Sequence, residues 1–274
     1  MEQHICLTIE IDSPEQSDSL IAFLAENGFD GFEEMPDRLL AYRPDNEWVQ
    51  QSDVLTYLSE NNVAYDFSTI EKTNWNQVWE SNFTPVRVND LVGIRAAFHA
   101  PMNDVTHELV ITPKMSFGTG HHITTRLMVQ MMNGLIRPGD RVLDFGTGTG
   151  VLAILAKKMG AGEVIGIDIE DWSIENAIDN AKENGTTDIE FRCADRIDVT
   201  GAFETILANI NRNILLDHMT DLKKVLSPGG TLLLSGVLEE DLTVMDQALS
   251  QVGLHRINIA AEKGWICMQS SDNQ

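Results

Sequence analysis

Residues 142–150 read V-L-D-F-G-T-G-T-G, an apolar run followed at once by glycine at every second position. The run predicts a short buried strand, and the residues after it predict a helix that begins near Val151. Glycine lets the backbone of the turn approach a ligand closely, with helix N–H groups facing that ligand. A dinucleotide-binding turn would need a third glycine three residues after Gly148, where Val151 stands. The motif therefore predicts a ligand-binding turn but argues against a pyrophosphate.

Strands and helices alternate along the chain around this turn. Apolar runs predict strands at 141–145, 163–168, 203–210 and 231–235, and helical patterns lie between them. Such alternation predicts a parallel, doubly wound sheet and so an α/β fold. Asp168 ends the second of these strands, where its carboxylate could accept hydrogen bonds from a ligand or could merely cap the next helix.

A second glycine-rich run, F-G-T-G-H-H-I-T-T at 117–125, precedes the first predicted strand. Together with residues 74–83, the glycine turn and A-N-I at 208–210, it resembles the PrmA family. These bacterial enzymes are class I S-adenosylmethionine-dependent methyltransferases of large-subunit ribosomal protein eleven. The resemblance runs from about residue 74 to the end of the chain. It implies a seven-stranded, mostly parallel sheet.

The resemblance also implies a set of functional residues. Asn209 would be catalytic, and the cofactor, S-adenosylmethionine, would contact Thr125, Gly146, Gly148, Asp168 and Asn209. The two glycines would line its methionine part and Asp168 would bind its ribose hydroxyls, while Asp195 would hold the adenine amine. Ile123 departs from the Glu or Pro that the family often has, and it offers no polar group.

Asn209 is followed by Ile210-Asn211-Arg212, which lacks the two prolines and the aromatic residue of the N/D-P-P-Y run of related enzymes. This difference favours a tetrahedral amine over a planar amide nitrogen as the substrate. We expect the Asn209 side chain and nearby carbonyls to accept hydrogen bonds from the N–H groups of that amine. We expect His121 and His122 to order their loop, and we expect no metal, because no third ligand is suitably spaced.

The charge of the chain is concentrated at its beginning. The whole sequence carries 19 Lys and Arg against 42 Asp and Glu, a net charge of −23, and residues 1–72 hold 3 basic against 16 acidic residues, a net of −13. Their pattern predicts the order βαββαβ of a ferredoxin-like α+β domain. An acidic surface repels nucleic acid and anionic membranes and attracts basic proteins, although solubility alone could also explain it.

These observations predict three segments: an acidic substrate-recognition domain at 1–72, a helical linker at 73–86 and a methyltransferase domain at 87–274. The linker helix would present Trp75, Trp79 and Phe83 on one face. The three cysteines are far apart and lack a C-x-x-C, so neither a disulfide framework nor a zinc site is expected. The N-terminus lacks a signal sequence and no apolar run reaches membrane-span length, so we expect a cytoplasmic monomer.

The function implied is methyl transfer from S-adenosylmethionine to lysine side chains, the α-amine or both on the ribosomal protein. Two alternatives remain. One is an enzyme of the same fold that methylates a small-molecule amine, and the other is a non-catalytic protein that only binds the cofactor.

Overall fold

The computed structural model describes residues 3–11, 13–29, 31–35, 37–44, 53–61, 63–71, 84–112 and 118–272. The chain divides into two compact units, Met1–Phe83 and Thr84–Gln274. The predicted linker helix, with Trp75, Trp79 and Phe83, lies outside the described residues. The three predicted segment boundaries remain predictions.

The first unit has the predicted order βαββαβ. Its elements are β1 (Gln3–Glu10), α1 (Pro14–Glu26), β2 (Gly31–Glu34), β3 (Arg38–Pro44), α2 (Asp53–Glu60) and β4 (Tyr65–Glu71). The sheet order is β2-β3-β1-β4, and each neighbouring pair is antiparallel. This topology confirms the ferredoxin-like prediction.

Alternation along β1 separates the two faces of this sheet. Leu7 and Ile9 are fully buried and share a core with Leu24 of α1 and Leu58 of α2. The residues between them point to the opposite face, because successive side chains of a strand alternate. The helices therefore cover one face, and the other carries polar residues such as Thr8.

The second unit contains the predicted glycine turn. Its elements are β5 (Val86–Val88), β6 (Val92–Arg95), β7 (His107–Val110), α3 (Ile123–Met132), β8 (Arg141–Phe145), α4 (Val151–Lys158), β9 (Glu163–Asp168), α5 (Asp171–Glu183), β10 (Glu190–Cys193), β11 (Phe203–Asn209), α6 (Arg212–Val225), β12 (Leu226–Leu238), α7 (Leu242–Gln251), β13 (His255–Glu262) and β14 (Trp265–Ser271). Among the described residues, none of the helices has the length and apolar character to cross a membrane.

The strand order of the large sheet is β10-β9-β8-β11-β12-β14-β13. The first five strands are parallel, and β14 runs antiparallel between β12 and β13. The seven-stranded, mostly parallel sheet confirms the predicted class I methyltransferase fold. Strands β5, β6 and β7 form a separate three-stranded sheet. The sequence pattern did not indicate that these strands lie outside the large sheet.

Residues 226–230, L-S-P-G-G, precede the predicted strand at 231–235 and contain the Pro-Gly-Gly sequence typical of a turn, but they belong to β12 itself. Leu226 already pairs with Phe203, and the register then shifts so that Thr231 pairs with Thr205. Gly229 has a φ of +74°, which accommodates the extra residues. The Pro-Gly-Gly signal therefore marks an irregularity within a strand.

Two amide side chains, one in α5 and one directly after it, hold the end of the small sheet. Asn184 accepts a hydrogen bond from the Val110 N–H at 3.0 Å and donates to the Val110 carbonyl at 2.7 Å. Asn180 accepts from the Thr112 N–H at 2.9 Å and donates to the Thr149 carbonyl at 2.9 Å. Asn180 thereby connects the residues after β7 with the glycine turn.

Asp144 lies in β8 directly before the glycine turn and is 1% exposed. Its Oδ2 accepts hydrogen bonds from the Thr147 hydroxyl at 2.7 Å and the Ala153 N–H at 3.1 Å. Its Oδ1 has no partner among the described residues. Burial raises the pKa of this carboxyl to about 7, since the charged form loses its hydration and has few compensating hydrogen bonds.

Replacing Asp144 by asparagine should therefore stabilise the protein most at high pH. Because the folded-state pKa lies above the unfolded value of about 3.9, the stability of the natural protein falls as pH rises from about 4 to about 7. The amide oxygen can accept the same two hydrogen bonds without a charge. We expect the gain in free energy of unfolding to be about 2 kcal/mol larger at pH 8 than at pH 5, measured by urea unfolding.

Asp198→Asn, which replaces an exposed carboxyl, serves as the matched control and should show no such pH dependence. A stabilisation by Asp144→Asn that is the same at both pH values would contradict the ionisation of Asp144 as its cause.

Candidate active site

The parallel strands end at one edge of the large sheet, and the segments that follow them surround a cavity of about 470 Å³. Ligands of doubly wound sheets bind at this edge. The cavity is lined by His122, Thr124, Gly146, Gly148, Asp168, Glu170, Trp172, Ser173, Asn209, Ile210, Asn211, Gly236 and Trp265.

The glycine turn between β8 and α4 forms one wall of the cavity. Gly146 and Gly148 have φ values of +77° and +54°, a region that side chains rarely adopt. A Cβ at Gly146 would lie 2.9 Å from Cδ1 of Ile210, so a side chain there would be strained and crowded. Both glycines therefore keep backbone atoms at the surface of the cavity.

Asp168 ends β9 beside this turn. Its Oδ2 accepts a hydrogen bond from the Gly148 N–H at 2.8 Å, and its Oδ1 accepts from the Glu170 N–H at 3.2 Å. A carboxylate oxygen can accept more than one hydrogen bond. Asp168 therefore fixes the turn and keeps acceptor capacity for a ligand.

Asn209 ends β11 on the opposite side of the turn. Its Nδ2 lies 3.4 Å from Oγ1 of Thr125, a fully buried residue of α3. Its buried Oδ1 has no hydrogen-bond partner in the described part of the chain. The asparagine thus has an unused acceptor, and one of its amide hydrogens is directed to Thr125.

The structure brings four of the predicted contact residues, Gly146, Gly148, Asp168 and Asn209, into one cavity. Thr125 lies behind Asn209, and the neighbouring Thr124 lines the cavity in its place. Asp195, predicted from the resemblance to hold the adenine amine, is exposed outside the lining and pairs with Arg196 at 3.3 Å. A contact between Asp195 and a ligand remains a prediction.

The run at 117–125 is described from residue 118 onward, so Phe117 lies outside the described residues. The Gly118 carbonyl accepts a hydrogen bond from the Thr149 hydroxyl at 2.7 Å, which joins this run to the glycine turn. His121 Nε2 donates to the Thr84 carbonyl at 2.9 Å, and His122 Nδ1 accepts from the Thr124 N–H at the start of α3 at 3.3 Å. Both histidines order their segment.

Among the described residues, no group of three or more His, Cys, Asp and Glu side chains is arranged to hold a metal ion. Cys193 ends β10, opposite Asp168 of β9, and is exposed. A hydrogen bond to Asp171 raises the pKa of its thiol to about 11. The thiol therefore stays protonated at neutral pH and is a poor nucleophile.

Several lining residues were not predicted from the sequence to belong to the site, above all Trp172, Trp265 and Gly236. Gly236 is an extra residue in β12, since Ser235 pairs with Cys267 and Val237 with Ile266. Its φ is +87°, and a Cβ would lie 2.3 Å from the Ile210 carbonyl oxygen. The glycine is the one local signal of this bulge in the sequence. The pairing that creates the bulge involves β14, which begins about thirty residues later.

Known proteins are similar to this chain over most of its length. The family model described as "Ribosomal protein L11 methyltransferase (PrmA)" matches residues 6–273. A ribosomal protein L11 methyltransferase of Porphyromonas gingivalis is 41% identical over 92% of this chain and 89% of its own length. One of Chlorobaculum parvum is 35% identical over 96% of this chain and 94% of its own length.

A crystal structure of ribosomal protein L11 methylase from Lactobacillus delbrueckii subsp. bulgaricus superposes with a TM-score of 0.65 at 30% identity. The match covers 69% of this chain and 98% of that one. The family model extends over nearly the whole sequence, and the identities lie well above the level at which only folds are shared. This chain belongs to the ribosomal protein L11 methyltransferase family, PrmA.

Proposed function

We propose that this methyltransferase binds S-adenosylmethionine in the cavity at the carboxyl edge of its large sheet and methylates amines of ribosomal protein L11. The observation that carries the proposal is the placement of Asn209. Asn209 lines the same cavity as Asp168 and the glycine turn, and its buried Oδ1 has no hydrogen-bond partner among the described residues. An acceptor beside a ligand-binding turn suits an amine that has N–H groups to donate.

The residues of the cavity fit this cofactor. The side-chain-free turn at Gly146 and Gly148 leaves room for its methionine part, and Asp168 has acceptor capacity for two ribose hydroxyls. When bound, the cofactor supplies an electrophilic methyl group on a sulfonium. Trp172 and Ser173 border the side of the cavity next to Asp168.

The chain's own contribution to the reaction is to position and neutralise an amine. A lysine amine has a pKa of about 10.4 and an α-amine one of about 7.7–8.0, so both arrive mainly protonated at neutral pH. A partly desolvated cavity lowers that pKa, because burial disfavours the cation. The Asn209 oxygen then accepts a hydrogen bond from an N–H group of the amine and so directs the nitrogen lone pair toward the methyl group. Holding the amine in line with the bond that breaks lowers the activation barrier. The released proton passes to water.

The Asp168 side chain provides a direct test of cofactor binding. Asp168→Ala removes an acceptor that can make charge-assisted hydrogen bonds, each worth about 1.5–3 kcal/mol. We expect the affinity for S-adenosylhomocysteine, measured by calorimetry, to fall by roughly 10- to 100-fold. Asp179→Ala, which removes an exposed carboxyl on α5, is the matched control. Unchanged affinity in Asp168→Ala would remove the ribose contact from the proposal.

The role of Asn209 predicts a dependence on methylation state. Each transfer replaces one N–H of the substrate amine, so the hydrogen bond to Asn209 matters most for the first methyl group. We expect Asn209→Ala to slow the first transfer by about tenfold, the worth of one hydrogen bond, and any later transfer to the same amine much less. Mass spectrometry of the products over time measures each step.

Asn213→Ala, which truncates an exposed asparagine of α6, should leave the rate of every transfer unchanged. An equal loss at every step in Asn209→Ala would contradict the proposed hydrogen bond.

We also propose that residues 1–72 recognise the basic ribosomal protein. The face of their sheet opposite α1 and α2 carries a row formed by Glu33, Leu40, Thr8 and Asp66, which are paired across the four strands. Glu33, Asp66 and nearby Glu10 are exposed. Complementary charge speeds association and is weakened by salt.

Neutralising these acids should weaken recognition and spare catalysis. We expect the triple variant Glu10→Gln, Glu33→Gln and Asp66→Asn to raise the KM for ribosomal protein L11 by about tenfold with kcat nearly unchanged, most clearly at low salt. A triple variant on α5, with Glu175, Asp179 and Glu183 neutralised, loses the same charge elsewhere. Equal effects of the two variants would leave only total charge as the cause.

The decisive experiment for the function compares intact masses of large-subunit ribosomal proteins from cells with and without the gene. A deficit in multiples of one methyl group on ribosomal protein L11 alone is expected. A missing methyl group on a free metabolite amine instead would favour the small-molecule alternative.

A further inference from the structure

The sheet order divides the cavity into two halves. Gly146, Gly148 and Asp168 follow β8 and β9, which are neighbours on one side. The other half lies at β11, β12 and β14, which are adjacent in the sheet. Asn209 ends β11, Gly236 lies near the end of β12, and Trp265 begins the antiparallel β14. Because the proposed cofactor contacts concentrate in the first half, the second half is left for the amine.

Trp265 is the large aromatic side chain of this second half. It begins β14 opposite Leu238 of β12, just beyond the Gly236 bulge. It follows a tight turn in which Lys263 and Gly264 have φ values of +50° and +83°. This turn is itself anchored, since the Gly264 carbonyl accepts a hydrogen bond from the Glu239 N–H at 2.8 Å.

The indole ring of Trp265 is also held from the side. It meets the imidazole of His122 edge to face, with ring centroids 4.9 Å apart and an interplanar angle of 77°. His122 is fixed in turn by its hydrogen bonds to Thr124 at the start of α3. Trp265 therefore presents an oriented aromatic surface to the cavity.

A substrate amine changes character as it is methylated. The nitrogen lone pair forms the new N–C bond while the electron pair of the broken C–S bond stays on sulfur, and the resulting ammonium must lose a proton before it can react again. Every turn thus replaces an N–H by an apolar methyl group. The Asn209 oxygen loses its donor, and an ammonium that carries methyl groups is bound well by the face of an aromatic ring.

We propose that the indole of Trp265 contacts the N-methyl groups of a partly methylated amine and so lets one amine take up further methyl groups. This inference rests on the proposed function of the cavity. Asn209 and Trp265 then have different roles. The asparagine orients an amine that has N–H groups, and the tryptophan binds an amine that has few or none.

Product distributions test this proposal. At equal total methyl transfer to ribosomal protein L11, we expect Trp265→Leu to accumulate mono- and dimethylated amines, whereas Trp265→Phe keeps an aromatic face and approaches the natural distribution. Phe98→Leu makes the same aromatic-to-aliphatic change at an exposed residue outside the cavity and is the matched control. A purely structural role for Trp265 would slow all transfers without changing their ratio.

A binding measurement keeps the test independent of the stability of the variants. The natural enzyme, saturated with S-adenosylhomocysteine, is titrated with a peptide that carries a trimethylated amine and with one that carries a neutral tert-butyl group of the same shape. We expect the cation to bind roughly 2- to 30-fold more tightly, as an aromatic face favours it, and Trp265→Leu to lose this preference.

Three results would overturn the inference: equal binding of the two peptides by the natural enzyme, an unchanged product ratio in Trp265→Leu, or natural enzyme that stops at one methyl group. Natural enzyme that transfers no methyl group to any amine would instead overturn the proposed function, so the two failures are distinguishable.

Discussion

The site depends on one constraint: a turn whose glycines expose backbone to the cavity must be held rigidly between β8 and α4. Two carboxylates meet this requirement. Asp144 binds the Thr147 hydroxyl and the first turn of α4 from within the core, and Asp168 binds the Gly148 N–H from the next strand. The cost is a buried acid whose pKa is raised to about 7 by desolvation. Holding a turn that exposes its backbone to a ligand therefore lowers the free energy of unfolding.

The same turn organises elements that are distant in sequence. Thr149 binds the Gly118 carbonyl of the preceding glycine-rich run and its own carbonyl accepts from Asn180, which also holds Thr112. The run at 117–125 and the end of the small sheet are therefore both tied to the turn. This explains physically why so specific a sequence precedes β8, since its glycines let it approach the turn closely. At Gly118 a Cβ would lie 2.8 Å from Oγ1 of Thr149.

The parts of the fold that could be predicted are those with local causes. The strands at 141–145 and 163–168 were placed correctly because buried parallel strands are short apolar runs with clear ends. The glycine turn and Asp168 could be found because they follow or end such strands, whereas Asn209 was identified through the resemblance to the PrmA family. Trp265 and Gly236 were missed, since their roles arise from the pairing of β12 with β14, and Thr124 was missed because helix rotation decides which threonine faces the cavity. The long β12 was misjudged because its Pro-Gly-Gly bulge imitates a turn.

All described lining residues of the cavity, from His122 to Trp265, come from the second unit. The described part of the reaction centre is therefore built from one unit. Under the role proposed for residues 1–72, exchanging that segment for another binding module would redirect the enzyme to a different protein while keeping these lining residues.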